Sequence, residues 1–255
     1  MWWILLISFY CNHTVYIAKN FDIQSIKTCI EKNTITKITT VPSVFEYLTR
    51  ENIKSDCVKN IRVGSSLCNK NLISRIKICF PKATVFNAYG ISEIGPGLFG
   101  YHPKGISIPD GSVGYPLPNY EYKIVNGVLQ IKTPFMSEFY NTNDLFSVDP
   151  NGFYYCHGRN DDIFKCGGYT INPIEIETEI EKIPGVKQAV VIPARDELKE
   201  NKPFCILVGE VDLESINTLL TIENYKKPRK YIKVESIPLN NSGKVGRKQL
   251  KRDYG

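Results

Sequence analysis

Short β-branched runs alternate with amphipathic helical segments through the first half of the chain, and this alternation constrains the fold more than any other feature. FDIQSIKTCIEKN spaces Phe21, Ile23, Ile26, Cys29 and Ile30 at helical intervals behind Asp22, a residue suited to cap a helix N-terminus. TITKITT is short and β-branched and predicts a strand. Pro42 opens the next helix, SVFEYLTRENI, because a first-turn residue needs no N–H. NIRVGSS then predicts a strand ending in a Gly/Ser turn, NKNLISRIKICF a helix and ATVFNAYG another strand. Such repetition implies a layered α/β domain on a parallel sheet. Ligands of these sheets gather where loops leave the carboxyl ends of strands. Two loops qualify: Gly64-Ser65-Ser66, and the run from Asn87 through Glu93.

Beyond Pro96 the composition shifts to Gly, Pro and short β-rich runs, EYKIVN, GVLQIKT and GFYYCHG, which read as hairpins. After residue 160 the pattern changes again. PIEIETEIEKI and ESINTLLTI carry helical spacing, while KQAVVIPA, PFCILVGEV and YIKVESIP read as strands. The expected architecture is therefore a layered α/β domain with a β-rich part, followed after residue 160 by a small α+β domain.

A formal net charge of +6 on 255 residues would suit an anionic ligand, but the lysines are dispersed among acids. Dispersed charge is a solvated surface, and no interleaved aromatic and basic pattern argues for nucleic acid. The eight cysteines form no C-x-x-C or Cys/His ligand pattern, and several sit at apolar-periodic positions. They are expected to be reduced in a cytoplasmic protein. MWWILLISFYC is apolar but far short of the roughly 20 residues that span a bilayer, and no basic residue precedes it. It reads as a core segment of a chain that begins inside a domain.

Three elements carry chemistry. NAYGISEIG places an aromatic ring, a hydroxyl and a carboxylate at a strand end, in Tyr89, Ser92 and Glu93. These could stack on adenine, contact phosphate and ligate Mg²⁺, although alone they equally fit an ordinary polar loop. Asp144 in YNTNDLF could hold ribose hydroxyls or form a turn. In PLNNSGKVGRKQL, Gly243 frees the loop to bring Lys244 to a polyanion, and Arg247 and Lys248 follow on an incipient helix; a solvated basic terminus is the alternative.

Together these segments resemble, in order, the signature motifs of the AMP-forming adenylating superfamily: acyl-CoA synthetases, peptide-synthetase adenylation domains and luciferases. NAYGISEIG is similar to Y-G-x-[ST]-E and TND at 142–144 to T-G-D. GRNDDIFKCGGYTINPIEIE resembles G-R-x-D-D-x-I-K-x-x-G-x-x-I-x-x-x-E-I-E, and PLNNSGKVGRKQL resembles P-x-T-x-x-G-K-x-x-R-x-x-L. VPSVFEYL and VGSSL match weaker markers, V-P-[ST] and G-G-[AS]-x-L.

The resemblance implies a ligase that joins a small carboxylic acid to AMP from MgATP and passes the acyl group to the thiol of coenzyme A or of a carrier-protein phosphopantetheine. Asn87, Tyr89, Gly90, Gly64 and Ser65 would line the nucleotide site, Ser92 would touch phosphate and Glu93 would hold Mg²⁺. Asp144 and Arg159 would hold the ribose, and Lys244 would bridge the carboxylate and the α-phosphate. Asp161 would be the hinge of a mobile small domain, and Gly168 would line the thiol tunnel.

The sequence also departs from the pattern. The Gly/Ser/Thr-rich phosphate loop, approximately T-S-G-[ST]-T-G-x-P-K-G, is absent and would lie upstream of Met1. Asn143 stands for the glycine of T-G-D, Ser65 for the second glycine of G-G-[AS], and Thr170 where arginine is frequent. The resemblance therefore implies a C-terminal half of such a ligase: the C-terminal part of a large layered α/β nucleotide-binding domain with a β-rich subdomain, residues 1–160, followed by a small mobile α+β domain, residues 161–255. The alternatives are a non-catalytic interaction module, or one half of a split enzyme that docks a carrier protein, a nucleotide or a separate N-terminal half.

Overall fold

A computed structural model describes residues 2–17, 23–64, 68, 70–195, 201–239 and 244–255. The chain divides into two compact units, Met1–Pro118 and Asn119–Gly255.

The first unit runs α1 (Trp2–Tyr10), α2 (Ile23–Lys32), β1 (Lys37–Thr40), α3 (Pro42–Arg50), β2 (Asn60–Val63), α4 (Lys70–Cys79), β3 (Thr84–Asn87), β4 (Phe99–Gly100) and β5 (Tyr115–Pro116). The alternation expected from the sequence is present, with β1, β2 and β3 forming a parallel sheet in that order. Pro42 does start α3. The Asp22 cap and Phe21 lie outside the described residues. Ile61 and Val63 of β2 are fully enclosed in a core shared with Ile30 of α2, Val44, Phe45 and Leu48 of α3, and Leu72, Ile73 and Ile76 of α4. The helices thus cover one sheet face, while Lys37, Thr39, Asn60 and Thr84, at alternating positions, are exposed. In register across the carboxyl edge lie Thr40, Val63 and Asn87.

The N-terminal segment corrects the sequence reading. It is helical, but the core includes none of its described side chains, and Leu6, Phe9 and Tyr10 are exposed by 63%, 73% and 93%. A helix that is apolar all round is normally enclosed. Here the described side chains of this core's helical layer come from α2, α3 and α4.

The second unit begins with an antiparallel four-stranded sheet, β6 (Glu121–Val125), β7 (Val128–Lys132), β8 (Tyr140–Val148) and β9 (Tyr154–Arg159), paired in chain order. A 3-10 turn at Asn160–Asp162 leads to the hairpin β10 (Phe164–Cys166) and β11 (Tyr169–Ile171). Its two-residue turn is Gly167-Gly168, with φ of 54° and 84°. Two successive left-handed residues match the twist of a tight hairpin, and glycine adopts them without cost from a Cβ.

There follow α5 (Pro173–Ile180), β12 (Val186–Arg195), β13 (Asn201–Gly209), α6 (Leu213–Leu219), β14 (Lys230–Lys233) and α7 (Arg247–Tyr254). β12 and β13 are antiparallel, β13 and β14 parallel. Ala189, Val191, Cys205 and Leu207 pack on Ile176 and Ile180 of α5 and Ile216 of α6. Val190, Ile192, Phe204 and Ile206 pack on Ile237 and Leu250 of α7. With both faces covered, these strands need apolar residues at every position, which is why KQAVVIPA and PFCILVGEV show runs instead of alternation. No helix among the described residues is long and apolar enough to cross a membrane.

Candidate nucleotide and acyl-transfer site

Asn87 ends β3 with only 5% of its surface exposed, and its side-chain Nδ2 has no hydrogen-bond partner. A buried amide left unsatisfied costs about 1–3 kcal/mol, so it marks a place where a ligand atom would be stabilising. Beyond it the chain folds back on itself. Ile91 and Gly95 form an antiparallel bridge, the Gly95 N–H donating to the Ile91 carbonyl at 2.8 Å, and Leu98 N–H donates to the Tyr89 carbonyl at 3.0 Å. Ser92 and Glu93 sit exposed on the tip of this turn. The Tyr89 ring is braced edge-on by Phe99, with centroids 5.9 Å apart at 64°.

Gly90 is required by close approach. A Cβ there would lie 2.7 Å from Gly97 N, 2.9 Å from Gly95 O and 2.9 Å from Pro96 Cα, all backbone atoms that cannot step aside. Gly90→Ala is therefore expected to destabilise the first unit by about 1–3 kcal/mol and to lower its urea midpoint; an unchanged midpoint would show that the loop is not built this way. Gly64 is different. A Cβ there would meet Ala88 at an ordinary 3.6 Å, so neither space nor backbone angle demands glycine. It does set the end of β2 beside the Asn87–Glu93 loop. Ser65, the adjacent candidate, lies outside the described residues.

In the second unit the structure brings Asp144 and Arg159 together. They are directly opposed on β8 and β9, and Arg159 Nη1 lies 3.3 Å from Asp144 Oδ1. Asp144 is buried, whereas Arg159 is half exposed and also lies 3.8 Å from Asp161. Thr142 holds the aspartate's backbone: its hydroxyl donates to the Leu129 carbonyl at 2.8 Å and accepts the Asp144 N–H at 3.1 Å. Asn143 has φ of +58°. That explains both the glycine of the related motif and its replacement, because asparagine is among the few L-residues that enter the left-handed region readily. Its N–H donates to Asn141 Oδ1 at 2.9 Å.

Beside this pair, burial pushes the Cys156 thiol up to about 12, so it is a packing residue and no nucleophile. Desolvation lowers the pKa of His157, with Glu175 opposing the shift, and its Nε2 is 2.7 Å from Ser147 Oγ. Asn172 Nδ2 donates to the His157 carbonyl at 3.2 Å, and its Oδ1 caps α5 by accepting the Ile174 N–H. Gly158, at φ +97°, passes so close under α5 that a Cβ would fall 2.6 Å from Ile174 Cγ1.

Asp161 is exposed within the 3-10 turn. Gly168 is at an exposed hairpin tip with nothing within 4 Å of a would-be Cβ. The turn's backbone angles account for the glycine there, independently of any tunnel. Thr170, where arginine was expected, accepts a hydrogen bond from Lys165 Nζ. Lys244 is exposed, next to a bridge between Leu239 and Val245 that Gly246 N–H reinforces by donating to the Pro238 carbonyl at 2.9 Å. Residues 240–243, including Gly243, lie outside the described residues.

Arg247 turns inward instead of facing an anion. Its Nη1 and Nη2 each lie 2.7 Å from a different oxygen of Glu177, and Nη1 also donates to the Val191 carbonyl at 3.0 Å. Glu177 and Glu181 in turn accept the outward N–H groups of Val191 at 2.6 Å and Ala189 at 3.0 Å, satisfying the free edge of β12. Sequence reasoning missed this network. Its one signal was that Glu177 and Glu181 flank Ile176 and Ile180 on the same helix, which places carboxylates at the border of the buried stripe.

Comparison with known proteins bears on the family and the fold. The family model "AMP-binding enzyme" matches residues 1–133, and "AMP-binding enzyme C-terminal domain" matches residues 175–244. A 2-succinylbenzoate–CoA ligase of Staphylococcus aureus (strain bovine RF122 / ET3-1) is 26% identical over 94% of this chain and 54% of its own length. The O-succinylbenzoate coenzyme A synthetase (MenE) of Bacillus subtilis, in complex with AMP, is 25% identical with a TM-score of 0.77, covering 97% of this chain and 57% of that one. ATP-bound MatB of Rhodopseudomonas palustris, at 22% identity, shares the fold with a TM-score of 0.85 over 98% of this chain and 56% of that one. The chain thus spans about half the length of the curated relatives it matches. From its motifs, its fold and these matches, the chain belongs to the AMP-binding enzyme family.

Proposed function

We propose that this chain carries the C-terminal part of an acyl-adenylate-forming ligase that activates a small carboxylic acid with MgATP and transfers the acyl group to a thiol. The observation that carries the reading is the buried Asp144 held against Arg159 by Thr142, a carboxylate and a guanidinium fixed in one register. The relatives named as CoA ligases favour coenzyme A as the acceptor; a carrier-protein pantetheine is the alternative.

In the first step a carboxylate oxygen of the substrate attacks the α-phosphorus, the bond to the β-phosphate oxygen breaks, and pyrophosphate leaves with the electron pair. Tyr89 offers its braced ring to adenine, and the unpartnered Asn87 amide offers hydrogen bonds to the nucleotide. Gly64 and Gly90 keep backbone close to it, and Ser65 is assigned there by its motif alone. Asp144 accepts from ribose hydroxyls while Arg159 pairs with that carboxylate. Ser92 donates to phosphate. Glu93, on its exposed turn, fits Mg²⁺, which takes one or two carboxylate oxygens besides substrate phosphates and neutralises their charge. Lys244 places its ammonium between the carboxylate and the α-phosphate. In the second step the thiol sulfur attacks the acyl carbon, the acyl–phosphate C–O bond breaks with AMP as leaving group, and the thiol proton passes to solvent. Asp161 is the pivot between residues 1–160 and 161–255 that presents either Lys244 or the Gly168 turn to the nucleotide.

The test is carboxylate-dependent ATP–pyrophosphate exchange by the purified chain over a panel of fatty, aryl and amino acids. Exchange that requires one acid supports the reading and identifies the substrate class. Absence of exchange from folded chain with every acid overturns it for this polypeptide and favours the non-catalytic docking module or the split-enzyme half.

A further inference from the structure

We infer that Arg247 is a positioning residue that locks the segment bearing Lys244 to the segment just beyond Asp161, so that lysine and pivot move as one body; the inference rests on the roles proposed above for those two residues. Arg247 opens α7, a few residues after Lys244, and its guanidinium is almost enclosed. Its bonds reach three other elements. Two go to Glu177 of α5 and one to the Val191 carbonyl of β12, while Nε lies 3.6 Å from Asp162 Oδ2 in the 3-10 turn that contains Asp161.

A second cation of the same helix repeats the link. Lys251, one helical turn further on, places Nζ 3.7 Å from Asp162 Oδ1. On the other side of Arg247 the connection to Lys244 is short and hydrogen-bonded: Arg247 N–H donates to the Val245 carbonyl at 3.0 Å, Gly246 N–H to the Pro238 carbonyl, and Val245 bridges Leu239. Every covalent neighbour of Lys244 on its C-terminal side is thereby tied to a body that includes Asp162.

Stability alone does not call for this arrangement. Desolvating an ion pair costs roughly what the pair returns, and apolar residues of similar volume often serve as well. What a bidentate guanidinium–carboxylate pair adds is direction, since its planar fork accepts one relative orientation of the partners. A lysine that must meet a reacting phosphate within a fraction of an ångström benefits from such a fixed mount.

The double variant Arg247→Met/Glu177→Gln tests this in the full chain. It removes both charges of the pair at once, keeps an oxygen for the Val191 N–H, leaves Asp162 paired with Lys251 and leaves Glu181 its bond from the Ala189 N–H. Amide hydrogen exchange is expected to rise at least ~10-fold at Gly246 while Val190 and Ile206, in the sheet core, exchange as in the parent. Gly246 exchange that is unchanged, or that rises only in step with Val190 and Ile206, overturns the inference. In an adenylation-competent chain, kcat for ATP–pyrophosphate exchange is expected to fall at least ~10-fold with KM for ATP within about twofold. A parent chain that exchanges no pyrophosphate defeats the ligase reading, whereas the Gly246 comparison still decides the clamp.

Discussion

Glu177→Ala is expected to destabilise the second unit by about 3–5 kcal/mol, the cost of stranding one partner of a buried ion pair. The side chain does two jobs at once. Both oxygens accept from Arg247, and Oε1 also accepts the Val191 N–H at 2.6 Å. Burial by itself would push the Arg247 pKa down, but Glu177, with help from Asp162 and Glu181, more than reverses that, so the guanidinium stays charged at every working pH. Removing Glu177 leaves that charge enclosed, with Asp162 at 3.6 Å as its main remaining counter-ion, and leaves an edge-strand N–H without an acceptor. Glu177→Gln should cost less, because it retains the acceptor, and adding Arg247→Met to it should recover most of the loss. Urea denaturation of the three variants checks the order. An alanine variant within about 0.5 kcal/mol of the parent, the range of ordinary surface changes, would show that solvent already screens the pair.

Much of the architecture was legible because local chemistry and tertiary packing agree. In the first unit the period of Ile26, Cys29 and Ile30 against the β-branched ITT run separates helix from strand unaided, and Pro42 marks a helix start. The candidate loop after Asn87 was legible for the same reason, since a strand end in a parallel sheet is where ligands collect. Three features were not. The pairing of Asp144 with Arg159 depends on the register of β8 and β9, which shifts at an irregularity beside Asp144 itself, and strand register follows no local rule that survives a bulge. Glu177 and Arg247 are 70 positions apart; the acidic α5 and the mostly basic α7 look solvated until β12 is seen to need its edge covered. The opening segment failed in the other direction. Its apolar residues predict enclosure, and the exposure of Phe9 and Tyr10 shows that composition reports what a helix needs and not whether its own chain supplies it. Asn143 lies between these cases. The substitution was visible, but only its backbone angle of +58° explains why asparagine serves there.

Lys244→Ala is expected to lower carboxylate-dependent ATP–pyrophosphate exchange by about 10²–10³-fold, the usual loss when one preorganised donor to a developing charge is removed. The first step brings two anions together and then moves charge onto the departing pyrophosphate, so an ammonium between carboxylate and α-phosphate contributes more in the transition state than in the ground state. Nucleotide affinity should change little by comparison, because the proposed function gives adenine and ribose to Asn87, Tyr89, Asp144 and Arg159, not to Lys244. The loss should therefore fall on kcat, with KM for ATP within about threefold. Lys244→Arg should not rescue it, since a planar fork does not reproduce a compact point charge at the same position. The discriminating measurement is the second half-reaction alone, thioester formation from a preformed acyl-adenylate. There the proposed rotation about Asp161 has carried Lys244 away from the nucleotide, so the alanine variant should match the parent within about twofold. Equal losses in both half-reactions would instead mean that Lys244 supports the structure around the Leu239–Val245 bridge, and the role of charge compensation would pass to another cation of the chain.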